Sequence, residues 1–173
     1  MSGPGPARSV ILALGSNLGE RADILQGGVD AIAAIPEVQV MAVSPVYETV
    51  PVGGPAQPDY LNAVLVAATT LSARAVLDRC HEAENALGRA RGERWGPRTL
   101  DVDVIVYGTE VSDDPELTLP HPRAHERAFV LAPWHDVDPG AVIPGHGPVA
   151  DLLGAVGCAG VRPCPGARLR GPS

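Results

Sequence analysis

The chain contains no lysine: its 13 fixed basic residues are all arginines. That excludes chemistry built on a Schiff-base lysine and excludes a P-loop, whose lysine reaches the nucleotide phosphates. Any phosphate held here must meet arginine forks, backbone amides or metal. Aromatics are scarce, with a single phenylalanine, Phe129, and two tryptophans, Trp95 and Trp134, so each one needs its own explanation. The three cysteines, Cys80, Cys158 and Cys164, are odd in number, widely spaced and without a C-x-x-C. A disulfide framework or zinc knuckle is not expected, and a reducing cytoplasm is the natural setting. No apolar run approaches the roughly 18 residues needed to span a bilayer. Met1 to Pro6 lacks the apolar core of a signal peptide, so no membrane association is expected. A net charge of −7 argues against a general nucleic-acid binder, which carries a basic footprint.

What is present suits one globular domain. At 173 residues the chain can bury a core without staples. Residues Ser9 to Leu14 read as a buried strand, broken by Gly15-Ser16-Asn17, which can cap the next element. From Leu18 to Ile35 the positions Ile24, Leu25, Val29, Ile32 and Ile35 repeat at helical spacing. Val38 to Val46 and Tyr60 to Ala68 read as strands on either side of a Gly/Pro-rich loop, Pro51 to Pro58. Leu71 to Leu87 forms an amphipathic helix with Ser72 as cap and Gly88 as stop. After an arginine-rich loop, Leu100 to Tyr107 is the fourth strand. This order is the α+β, ferredoxin-like βαββαβ pattern: an antiparallel sheet with helices packed on it. A C-terminal extension follows, with short helices near Phe129 to Trp134 and Asp151 to Val156. Residues 1–156 are expected to form a single domain, and 157–173, rich in Gly, Pro and Arg, a loose tail.

Chemistry concentrates around Leu100-Asp101-Val102-Asp103-Val104. In a strand i and i+2 share a face, so Asp101 and Asp103 project together while Leu100, Val102 and Val104 face the core. Adjacent carboxylates repel unless a positive charge lies between them. Two oxygen donors of this kind suit Mg²⁺, which is usually completed by substrate phosphates. The alternative is a solvated strand face paired with nearby arginines. Arg89, Arg91, Arg94 and Arg98 lead directly into the aspartates, supplying the forks a triphosphate needs beside the metal. An internal ion-pair network including Glu93 is the competing explanation. Asn62 lies between apolar neighbours on the face of Tyr60. A buried amide must find a partner: either a neighbouring loop or the edge of a heterocycle. His121, Arg123, His125 and Arg127 offer further donors. His121 and His125 have the i, i+4 spacing of metal ligands, but without further partners zinc is not expected there.

These segments resemble the 6-hydroxymethyl-7,8-dihydropterin pyrophosphokinases of folate biosynthesis. The resemblance rests on ALGSNLGER, SPVYETVPVGGPAQPDYLNAV, LGRARGERWGPRTLDVDVIVYG and LPHPRAHERAFVLAPW, in register from about Val10 to Ile143. It implies transfer of the β,γ-diphosphate of ATP to the pterin hydroxymethyl group, with AMP as second product. It further implies two Mg²⁺ ions on Asp101 and Asp103, with Arg89 and Arg98 assisting catalysis. His81, Glu84, Arg89, Arg91, Trp95, Arg98, Val104, Thr118, His121 and Arg127 would meet ATP. Tyr60 and Phe129 would sandwich the pterin, Asn62 and the backbone of Thr49, Val50 and Val52 would read its edges, and Trp95 would close the site. A cytoplasmic monomer acting on these two small molecules is the expectation. Where some members carry arginine, an aromatic and lysine, this chain has Glu116, Pro122 and Gly92, which are not counted as phosphate ligands.

Two other readings use the same elements. A magnesium-dependent nucleotidyl transferase or cyclase would attack the α-phosphorus and release diphosphate. A non-catalytic ligand-binding domain of this topology is the third; the acidic charge and lack of stacked aromatics on the central strands disfavour RNA as its ligand.

Overall fold

The structure, a computed structural model, describes residues 6–17, 20–50, 59–88 and 100–171. The backbone begins with β1 (Arg8–Ser16), α1 (Arg21–Ala33), β2 (Val38–Val43), β3 (Tyr47–Thr49) and β4 (Tyr60–Thr69). α2 (Ala73–Gly88) and β5 (Asp101–Tyr107) complete the core. β4 pairs antiparallel with β1, and β1 with β5, while β2 and β3 share the other edge of β4. This is the expected ferredoxin-like α+β arrangement, with strand two interrupted. The interruption has a local cause. Ser44 donates its N–H to the Val64 carbonyl at 2.9 Å, and its hydroxyl, rather than its carbonyl, accepts the Val64 N–H at 2.8 Å. Pro45 follows, which has no N–H to continue the ladder.

The helices fall on both faces of the sheet. α1 and α2 cover one, packing Leu25, Val29, Ile32, Val76 and Cys80 on Leu12, Leu14, Leu65, Val102 and Val104. A Cβ at Gly28 would lie 3.1 Å from the side chains of Leu14 and Leu100, so glycine there lets α1 settle close to the sheet. α3 (Ala128–Val137) and α4 (Val149–Val156) cover the other face, where Trp134, Leu131, Val130 and Val149 meet Ile11, Val64 and Ile105. Two hairpins, β6 (Ser112–Asp114) with β7 (Leu117–Leu119) and β8 (Val142–Ile143) with β9 (Gly147–Pro148), join these parts. Among the described residues no helix is long and apolar enough to cross a membrane.

Two local expectations need correction, and one cap is borne out. α1 begins at Arg21, with Glu20 at its cap position and no side-chain cap; Asn17 is buried at 1% exposure, and Gly15 and Ser16 still belong to β1. Ser72 does cap α2, its hydroxyl accepting the Ala75 N–H at 3.2 Å. Residues 157–171 are not loose. β10 (Val161–Pro163) pairs with β3. Cys164, Ala167 and Leu169 pack against the core, and Arg170 exchanges two hydrogen bonds with the Gln26 side chain. Sequence composition hid this because the anchoring partners lie up to 144 residues away.

Candidate functional site

The sheet sets the site out in rows. Antiparallel register aligns Tyr47 of β3 with Asn62 of β4, Asn62 with Gly15 of β1, and Gly15 with Asp101 of β5. The next row aligns Val64, Ala13 and Asp103. Val102 and Val104 are buried among the α1/α2 side chains, so alternation sends Asp101 and Asp103 to the opposite face, the one α3 covers. The pairing inferred from strand period is therefore present. Asp103 is exposed and Asp101 half-buried.

Gly15 lies between the aspartates and the ring-binding candidates. A Cβ there would come within 3.0 Å of Asn62 Oδ1 and 3.8 Å of Tyr60 Cδ1. The Tyr60 hydroxyl is raised above its usual pKa by burial first and by the Asp101 charge second. By its sequence neighbours alone, Gly15 reads as a strand break. An isolated glycine in a strand pattern equally signals close approach by another group, and that was the available clue.

Asn62 is 7% exposed, and its amide nitrogen donates to the Thr49 hydroxyl at 2.7 Å. The Thr49 side chain, and not only its backbone, thus meets a candidate residue. Val50 donates its N–H to the Gly160 carbonyl at 3.1 Å, so that amide is already engaged. Tyr47 donates its hydroxyl to the Asp136 carboxylate, tying β3 to the C-terminal half of α3; burial and then Asp136 raise the tyrosine's pKa. At the other end of α3, Phe129 is half-buried, with the Arg127 guanidinium carbon 5.5 Å from its ring centre. That cation–π contact couples a ring-binding candidate to a phosphate-binding one.

On the β5 side, His121 is fixed by its N–H to the Ile105 carbonyl at 2.8 Å. Its Nδ1 accepts the Arg123 N–H at 3.2 Å. That leaves the proton of the neutral ring on Nε2, a donor suited to a phosphate oxygen. Desolvation lowers the His121 pKa most, Arg127 and Arg123 lower it further, and Asp103 opposes them. His121, Asp103 and Arg127 therefore share one electrostatic environment. His125 turns elsewhere and stacks on His146, ring centres 3.9 Å apart.

Other candidates have partners within the chain. The Glu84 carboxylate accepts the Val102 N–H at 2.9 Å, fastening α2 to the start of β5. The Thr118 hydroxyl donates to the Asp114 carbonyl at 3.0 Å. Val104 is 5% exposed with its side chain in the α1/α2 core, so only its backbone could meet a ligand. His81 is exposed on α2. Glu116, at a departing position, is held by Arg74 at 2.9 Å. Val52, Arg89, Arg91, Trp95 and Arg98 lie outside the described residues.

The donor set fits Mg²⁺. Two carboxylates share a face, Asp103 is open to solvent, and no cluster of three or more His, Cys, Asp or Glu donors occurs among the described residues. A hard cation with one or two carboxylates, its remaining positions taken by water and phosphate, is what such a set can hold.

Residues 11–139 match the family model described as 7,8-dihydro-6-hydroxymethylpterin-pyrophosphokinase (HPPK). A 2-amino-4-hydroxy-6-hydroxymethyldihydropteridine pyrophosphokinase of Pseudomonas aeruginosa is 40% identical over 158 residues, covering 91% of this chain and 98% of the relative. One from Methylorubrum extorquens is 46% identical, covering 78% and 85% respectively. Among solved structures, a Plasmodium falciparum HPPK-DHPS triple mutant aligns with a TM-score of 0.66 at 12% identity, covering 87% of this chain and 44% of the other. The chain thus spans less than half of that structure, and at such identity the likeness concerns the fold. With 40% identity running almost end to end through the relative and a family match that contains both strand aspartates, the chain belongs to the 7,8-dihydro-6-hydroxymethylpterin-pyrophosphokinase family.

Proposed function

We propose that the face carrying Asp101 and Asp103 transfers the β,γ-diphosphate of ATP to the hydroxymethyl group of 6-hydroxymethyl-7,8-dihydropterin, releasing AMP. The activity follows from the family: the chain is an ATP-dependent pyrophosphokinase of folate biosynthesis. One observation carries the residue assignment. Antiparallel register sets Asp101 in one row with Gly15, Asn62 and Tyr47 of the ring-binding side, while Asp103 shares the electrostatic surroundings of His121 on the phosphate side. That arrangement supports an aspartate pair lying between two half-sites, as a group bridging donor and acceptor must.

On the first side Tyr60 and Phe129 stack the pterin. Asn62, one amide hydrogen already given to Thr49, offers its carbonyl and second hydrogen to the ring edge. The Thr49 and Val50 carbonyls, with Val52, complete that recognition. On the second side His121 Nε2–H and Arg127, joined by Arg89, Arg91 and Arg98, neutralise triphosphate oxygens, and Trp95 covers both. His81, Glu84, Val104 and Thr118 border the nucleotide, Val104 through its backbone. Asp101 and Asp103 would hold two Mg²⁺ ions together with ATP, and the metal would supply charge neutralisation and lower the pKa of the acceptor hydroxyl. The protein's part is positioning and electrostatics, which dominate this class of transfer. The reading carries a cytoplasmic monomer with small-molecule substrates and neither nucleic-acid nor membrane partners.

The test is product analysis with ATP, Mg²⁺ and the pterin alcohol. AMP and pterin diphosphate in equal amounts are expected. Free diphosphate with a nucleotidylated product would instead mean attack at the α-phosphorus and overturn the reading.

A further inference from the structure

We propose that the C-terminal strand β10 positions the pterin half of the site, with Arg162 as the residue that transmits it. β3 has only three residues, and a strand so short is marginal unless both edges are used. β4 takes one edge. β10 takes the other, aligning Val161 with Thr49, Arg162 with Glu48 and Pro163 with Tyr47. Two further bonds bracket this pairing: Cys164 N–H to the Val46 carbonyl at 2.8 Å, and Val50 N–H to the Gly160 carbonyl at 3.1 Å. Pro163 suits an outer strand, whose far edge needs no donor.

Charge fastens the same place. Arg162 reaches Glu48 Oε1 at 2.7 Å and Asp59 Oδ2 at 2.9 Å. Arg21, from the start of α1, reaches Glu48 Oε2 at 3.1 Å and the Asp59 carbonyl at 2.6 Å. Both Glu48 oxygens are thereby engaged, each by a different arginine. Glu48 precedes Thr49, whose hydroxyl holds Asn62; Asp59 precedes Tyr60. The two arginines therefore set the spacing between the strand that presents Thr49 and Val50 and the strand that presents Tyr60 and Asn62. Alternation sends Glu48 and Arg162 to the sheet face opposite Tyr47, Thr49 and Asn62. Arg162 is thus a positioning residue and not a substrate contact.

The inference rests on the pterin site proposed above. Its test uses full-length Arg162→Ala and Arg162→Lys proteins, with KM for each substrate, kcat, melting temperature and hydrogen exchange at the Val50 amide. In the alanine protein, the KM for the pterin should rise about three- to tenfold, the range expected when two exposed ion pairs are lost together. The KM for ATP and kcat should stay within about twofold, and Val50 exchange should quicken. Lysine should restore part of the effect, since it keeps the charge but not the fork. An unchanged pterin KM would overturn the proposal even if Val50 exchange quickened. Parallel rises in both KM values with a lower melting temperature would also overturn it, because the contact would then support the fold at large. A wild-type protein that makes no pterin diphosphate would sink the functional reading itself, which separates the two failures.

Discussion

Asn62 gives its side-chain amide to the Thr49 hydroxyl at 2.7 Å, and both residues are nearly buried. The bond fixes the plane of the amide. Its carbonyl oxygen then sits 3.0 Å from the place where a side chain on Gly15 would begin. A methyl group there cannot be accommodated without turning the amide, because Thr49 holds its other end. Gly15→Ala should therefore weaken pterin binding about tenfold, within the roughly 1–3 kcal/mol cost of overpacking a filled space. ATP affinity should change less than twofold. Calorimetric titration of each ligand checks this, and equal loss for both would refute a local effect on Asn62.

Asp103→Asn keeps shape and removes one of the two charges proposed to hold the metal. If the metal contributes several kcal/mol at the transition state, turnover should fall by about 10²–10⁴. Asp103 is exposed, so the variant should melt no lower than wild type. A second signature comes from His121, whose pKa the Asp103 charge supports against burial and two arginines. In the variant that pKa should drop further, measurable from the ring proton shifts. Near-normal AMP formation at saturating ATP and Mg²⁺ would remove Asp103 from the mechanism. Chelating Mg²⁺ should stop the wild-type reaction without unfolding the protein.

Phe129→Ala removes one face of the proposed ring clamp, and pterin binding should weaken by roughly 1–3 kcal/mol. The contact with Arg127 at 5.5 Å adds a smaller expected effect on ATP, because the guanidinium loses its platform. The loss for pterin should be the larger one. Competition binding with both ligands decides the order, and the reverse order would assign Phe129 to the nucleotide side.

Tyr47 gives a pH dependence. Burial and the Asp136 carboxylate raise its folded-state pKa above the ordinary tyrosine value of 10.0. The unfolded chain therefore loses this proton first as pH rises. The stabilisation is complete below pH 10 and fades as pH climbs toward the folded value. Tyr47→Phe should be less stable than wild type at neutral pH and should lose less stability above pH 10. Denaturant titrations from pH 8 to 11 measure both limbs; parallel losses in the two proteins would show that Tyr47 does not set the alkaline limb.

The strand-helix alternation and the shared face of Asp101 and Asp103 were legible in the sequence because both depend on local periods. Period two puts Val102 and Val104 in the core and the aspartates opposite; period 3.6 puts Leu25, Val29 and Ile32 on one side of α1. The motif around the aspartates carried the family in the same way, as a contiguous string. Ser72 capped its helix as its position predicted, since a cap bonds only three residues away.

What no local period encodes is which strand lies beside which. Gly15 became meaningful only once Asn62 stood on one side of it and Asp101 on the other. The last residues looked like a solvated tail because Gly, Pro and Arg favour no element of their own, yet Arg162 meets Glu48 across 114 residues and Arg170 meets Gln26 across 144. Such contacts overcome chain entropy only after the sheet has formed and presents an edge to bind. The chemical groups were thus readable from the sequence, while their neighbours were decided by the closing of the fold.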